Sequence, residues 1–238
     1  MKSRTLYNFV REAVVQVPAV KPLLSAKARF ILSDRSEYKS QEYFLQQIQR
    51  LVRSVYDNVI GGQFIDLMAN LISGQLYDAY SRAWTDYGEF GAIPDYLEAG
   101  YQEDVLSQYD FVDGYYRDIV DARIDGTPID PLLTRANMWA NQWNNSYNKA
   151  NSLIQQENGG NLEWVYGETE HCDTCRNLNG IVASAKEWAQ LGLRPQNPPN
   201  PIIKCGGFNC ECQLLPTEKR RSPGAYGRIE EVILLYGK

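Results

Sequence analysis

The chain has 238 residues, 44% of them hydrophobic and 22% charged, with a formal net charge of -5. These values support a buried core and exclude a wholly disordered chain, while the acidic balance argues against a protein whose main task is to wrap nucleic acid. No apolar run approaches the roughly 18 residues of a membrane span, and Arg11, Glu12 and Pro18 interrupt the start where a secretory signal would carry its apolar core. Neither a membrane partner nor secretion is expected.

Residues 1–39 are expected to form an N-terminal arm and residues 40–160 a helical body. From Ser40, a plausible N-cap, Phe44, Ile48, Leu51, Val52 and Val55 recur at three- and four-residue steps and predict a helix with one apolar face. The pattern resumes after Gly61-Gly62 with Phe64, Leu67, Met68, Leu71 and Ile72, and the paired glycines predict a break between two helices. A further helix carries Leu97, Tyr101, Val105, Tyr109, Val112, Tyr116 and Ile119 as a packing stripe and ends near "DGTP". Tyr115 lies off that stripe and is expected at a protein interface, where tyrosine is enriched. Asp130 as cap and Pro131 in the first turn predict one more helix through "DPLLTRANMWANQWNNSYNKANSLIQQ", ended by "ENGG".

Residues 161–238 change texture and are expected to form a small cysteine-rich α+β module. "LEWVYG" and "GIVAS" predict two strands of a hairpin, and Ser184 with Glu187 forms a capping-box pattern ahead of a short helix at "KEWAQLG". The proline-rich "RPQNPPNP" can continue neither helix nor central strand and is expected as a loop. "CECQLL" and "EVILLYG" are expected as edge strands separated by the basic turn "EKRRSPGAYGR". The fold class is therefore mainly α, a helical body followed by a small α+β module pinned by a cysteine metal site.

All five cysteines lie in two short segments of that module, as C-x2-C (Cys172, Cys175) and C-x4-C-x-C (Cys205, Cys210, Cys212). A C-x2-C turn presents two thiolates to one ion and a remote second group closes the loop, which is the grammar of structural zinc. Gly180, Gly206 and Gly207 supply the backbone freedom such turns use. The expected ligands are Cys172, Cys175, Cys205 and Cys210, with Cys212 as substitute because strand alternation would place it on the same side as Cys210. Disulfides are the alternative if the chain meets oxidising conditions. The spacing matches neither common ferredoxin run.

Catalytic readings fit less well. The single histidine, His171, cannot make an H-E-x-x-H hydrolase, the H-x-E segment of zinc deaminases is absent upstream of the cysteine pair, and no βαβ context supports a thioredoxin-like pair. His171 is expected as a polar loop residue. No catalytic residue and no small-molecule substrate are expected.

From Leu132 to Pro216 the sequence resembles the C-terminal region of tailed-bacteriophage minor head proteins of the Mu-type head morphogenesis family. The resemblance rests on the helix "TRANMWANQWNNSYNKANSL" leading into "EWVYG", then "GETEHCDTCRNLNG", the "KEWAQLG" insert, "RPQNPPNP" and the closing "CGGFNCECQLLP". The family's closing motif commonly has a histidine shortly before C-x-C, where this chain has Cys205 and two glycines. The resemblance implies a low-copy, non-enzymatic component of the virion head near the portal vertex, with the portal or major capsid protein as partner, acting in head assembly or genome delivery. The alternative is a zinc-ribbon-like module that binds nucleic acid, such as packaged DNA, through Lys219, Arg220, Arg221 and Arg228 beside Tyr226.

Overall fold

The computed structural model describes residues 41–167, 170–197, 199–207 and 210–236. The expected arm at 1–39 and the Ser40 cap lie outside them. The protein is mainly helical with a small C-terminal sheet and a cysteine cluster in its C-terminal region. In chain order the elements are α1 (Gln41–Tyr56), α2 (Gln63–Asp86), α3 (Asp95–Ile124), α4 (Asp130–Ala140), α5 (Gln142–Asn158), β1 (Asn161–Val165), α6 (Asp173–Leu178), β2 (Val182–Ser184), α7 (Ala185–Gln190), β3 (Gln213–Thr217) and α8 (Ala225–Tyr236). The contacts divide these elements into two compact units. One holds the described residues up to Asp78 with Val105–Ala140, the other Ala79–Asp104 with the described residues from Asn141 onward.

In the first unit, α1 turns Phe44, Ile48, Val52 and Val55 inward as their spacing requires, and Gln49 Nε2 donates to the Leu133 carbonyl of α4. Each such side chain contributes about 1.5–3 kcal/mol on full burial. The glycine break separates α1 from α2 as expected. The α3 stripe is buried at Val105, Val112 and Ile119, whereas its aromatic members Tyr109 and Tyr116 are half-buried. Tyr115, expected at an interface, is instead 0% exposed. It stacks on Trp139 at 6.0 Å between ring centroids and donates to the Leu132 carbonyl at 2.6 Å. The reason is helical phase, since Tyr115 follows Val112 by three residues and precedes Ile119 by four, which puts it on the same buried face.

The helix expected to run unbroken from Asp130 is interrupted at Asn141, giving α4 and α5. Asn141 keeps right-handed dihedrals (φ -66°, ψ -18°), and its carbonyl accepts from Asn144 N at 3.1 Å, a one-step tightening of the helix. At the far end Gly159 turns left-handed and Gly160 N closes on the Gln155 carbonyl at 2.8 Å, so "ENGG" ends α5 as expected.

In the second unit, Asp104 at the end of its α3 segment is buried and accepts from Tyr80, from Ser146 at 2.7 Å and from Lys149 at 2.6 Å. These bonds compensate the burial of a carboxylate and join the α2 and α3 segments of this unit to α5. The sheet has the order β2-β1-β3 and is antiparallel throughout, with Leu162 opposite Ala183 on one side and Trp164 opposite Leu214 on the other. Trp164 and Trp188 meet at 5.7 Å between centroids, and Trp188 Nε1 donates to the Leu162 carbonyl. Asn148 of α5 accepts from the Leu214 N–H of β3 and donates to Gln196.

Residues 231–236 of "EVILLYG", expected as an edge strand, lie instead in α8, where Ala225, Ile229 and Val232 are buried at a helical spacing. Leu234 and Leu235 are exposed. An apolar run this short fits either period, and here Ile229 enters the tryptophan-containing core.

Candidate metal centre

The two cysteine segments are positioned by different devices. Cys172 is the residue before α6 and Cys175 lies one turn inside it, so the C-x2-C spacing brings the two sulfurs to 3.5 Å. The segment carrying Cys205 is tied to α6 through Thr174, which is fully buried. The Thr174 hydroxyl accepts from Lys204 N at 3.1 Å and donates to the Tyr236 carbonyl at 2.8 Å. Lys204 Nζ also pairs with Asp173 at 2.5 Å and holds that carboxyl below its usual range. Gly206 and Gly207, at φ 68° and 80°, then turn the chain back.

Cys210 and Cys212 precede β3 rather than lying in it, yet both face Cys175, as alternation along an extended segment requires. On the opposite side Gly167 follows β1 so closely that a Cβ there would stand 2.4 Å from the Glu211 carbonyl oxygen. Glycine is what allows the two cysteine-bearing stretches to approach.

The result is two overlapping groups, Cys172 with Cys175 and Cys205, and Cys175 with Cys210 and Cys212, each with its sulfurs within 4.8 Å of one another. These groups can hold a metal ion, and all five thiols are free. The five expected cysteines thus divide between two groups that share Cys175: Cys172 and Cys205 stand with it on one side, Cys210 and Cys212 on the other. Cys175 and Cys212 are buried and the other three are partly exposed.

Crowding of sulfur on sulfur governs the protonation of the cluster. Hydrogen bonding with Cys205, Cys210 and Cys212 raises the Cys175 thiol, which keeps its proton. Contact with Cys175 favours the thiolate at two neighbours, Cys210, lowered chiefly by Cys175, and Cys212, lowered to about 4 by Cys175 and Cys210. A thiol must lose its proton to ligate. A soft divalent cation, taking the place of the Cys175 proton, would neutralise thiolates already favoured here.

His171 was not among the expected ligands. Its ring lies flat on Tyr166 at 3.9 Å between centroids and 7° between planes, and its Nδ1 stands 3.5 Å from Cys212 Sγ. This contact was hidden from the sequence, because 41 residues separate its partners.

Comparison of the chain with protein-family models, curated proteins and solved structures finds no match.

Proposed function

We propose that the protein is a non-enzymatic minor head component of a tailed bacteriophage, portal-associated and acting in head assembly or genome delivery, with a structural zinc ion in its cysteine cluster. The observation that carries this reading is the convergence of C-x2-C and C-x4-C-x-C on Cys175 beside a tryptophan-bearing strand, the arrangement on which the family resemblance rests. A tetrahedral zinc site with bonds of about 2.3 Å separates its sulfurs by about 3.8 Å. The Cys172–Cys175 distance of 3.5 Å is close to that spacing. A set of four thiolates closes the ion's coordination, which supports a structural role over a catalytic one.

The helical residues would supply the docking surface for a portal or capsid protein, and the ion would add folding free energy to a module too small to draw enough from its own core. The nucleic-acid alternative loses support at the basic turn. Lys219 pairs with Glu163 at 2.8 Å, and Arg221 pairs with Glu187, so two of its four cations already serve the fold.

The test has two arms. Elemental analysis of purified protein should find about one zinc per chain; no metal together with mass-spectrometric disulfides would replace the ion with a covalent framework. Quantitative mass spectrometry should find the chain in purified phage heads at low copy number. Its absence from heads, despite abundance in the infected cell, would overturn the virion assignment.

A further inference from the structure

We propose that the cysteine cluster has a second metal-binding mode, in which it holds a pair of copper(I) ions, one in each three-sulfur group, with the Cys175 sulfur bridging them. This mode uses the thiols of the zinc reading but assigns a different class of metal and a different stoichiometry, so it stands or falls separately.

The sulfurs that lie within 4.8 Å of one another form sets of three, Cys172 with Cys175 and Cys205, and Cys175 with Cys210 and Cys212, and Cys175 belongs to both. The number of ligands in a group decides which ion suits it. Zinc seeks four, so a zinc ion in either group must draw a sulfur from the other or leave a position open. Copper(I) is a soft monovalent ion that thiolates select, and its closed shell accepts a trigonal set of sulfurs without a fourth ligand. Bonds as long as those of zinc to sulfur, about 2.3 Å, would set the sulfurs of a planar trigonal ion about 4.0 Å apart, inside the limit that both groups meet. A thiolate has lone pairs enough to bridge two ions, which lets the five sulfurs satisfy both trigonal sites.

The fold builds the two groups separately. Cys172 and Cys175 meet at the start of α6 with their sulfurs 3.5 Å apart, and the hydrogen bond from Lys204 N to the Thr174 hydroxyl brings Cys205 to them. Cys210 and Cys212 come from the extended stretch before β3, on one side of it by alternation, and the close approach of Gly167 to the Glu211 carbonyl places that stretch. Cys172, Cys205 and Cys210 are partly exposed. Water at these three sulfurs solvates the negative charge that two monovalent ions leave uncancelled.

The test is an oxygen-free titration of the reduced full chain with copper(I) in competition with a chromophoric copper(I) chelator. Native mass spectrometry counts the ions and X-ray absorption reads their neighbours. About two copper ions per chain are expected, each with a shell of sulfur and with a copper neighbour at the short distance that a shared sulfur imposes. Cys172→Ser combined with Cys205→Ser leaves one group whole, and Cys210→Ser combined with Cys212→Ser leaves the other. Each double variant should hold one copper and lose the copper–copper scattering. If either fails to fold, the count and the scattering of the wild-type chain decide the point.

No copper retained against the chelator, one copper per chain, or two without copper–copper scattering would overturn the bridged pair. A chain that takes one zinc but only one copper would lose the pair and keep the zinc reading. A chain that takes the copper pair and no zinc would do the reverse.

Discussion

The helical unit of α1 and α4, with the adjoining parts of α2 and α3, and the cysteine module solve the same packing problem with different materials. In the first, long helices offer repeated apolar faces, and Phe64, Tyr115 and Trp139 interlock with aliphatic side chains over many turns. In the second, elements of three to twelve residues surround Trp164, Trp188 and a knot of sulfur. Short elements leave more chain in loops, and each ordered loop residue costs about 1–2 kcal/mol of backbone entropy. Regular helices recover that cost through periodic burial; the module has to recover it at a few concentrated points.

The comparison breaks most sharply at Cys175. Cys175→Ser should abolish metal binding and unfold the cysteine module while most of the helical signal survives, which circular dichroism and hydrogen exchange will resolve. Wholesale loss of helicity would show that the two regions are not independent in their stability.

The helical counterpart is Tyr115. Tyr115→Ala should destabilise its unit by about 3–5 kcal/mol, and Tyr115→Phe by about 0.5–1.5 kcal/mol, through loss of the hydrogen bond to the Leu132 carbonyl. Denaturant melts give both numbers, and a Tyr115→Ala melt like that of the wild type would return this residue to the surface.

Smaller effects belong to the capping box of α7, in which Ser184 accepts from Glu187 N and the Glu187 carboxylate bonds back to Ser184. Ser184→Ala should cost about 1 kcal/mol. Arg221, followed by the Ser184 contacts, holds the Glu187 carboxyl down at about 2 against an ordinary 4.5. A carboxyl depressed in the folded state adds stability that is complete above pH 4.5 and is lost as pH falls towards 2. The Glu187→Gln variant should lack that increment of acid sensitivity, and matching acid titrations for the two proteins would sink the assignment. Least of all should matter Arg220→Ala, an exposed change expected within about 0.5 kcal/mol of neutral by thermal melt.

What the sequence revealed follows the same divide. Phe44, Ile48, Val52 and Val55 could be placed by spacing because a helix repeats its face, and the Ser184–Glu187 box because both partners sit within one turn. Tyr115 was missed by following one stripe of α3, although a helix buries a band about 100° wide that also takes in neighbouring positions. α8 was misread because seven residues of β-branched and aliphatic character carry no decisive period. The gathering of the cysteines was legible in their spacing. The approach of His171 to Cys212 was not, since it depends on the loop before α6 meeting the stretch before β3 in three dimensions.

The close approach at Gly167 has a genetic consequence. A methyl group there meets backbone rather than a movable side-chain tip, so Gly167→Ala would hold apart the stretches that carry the site without altering any sulfur. Since an ion that binds only the folded form raises stability with its concentration, such an allele would be conditional: defective where metal is scarce and partly restored where it is plentiful, while Cys175→Ser would stay defective at every supply.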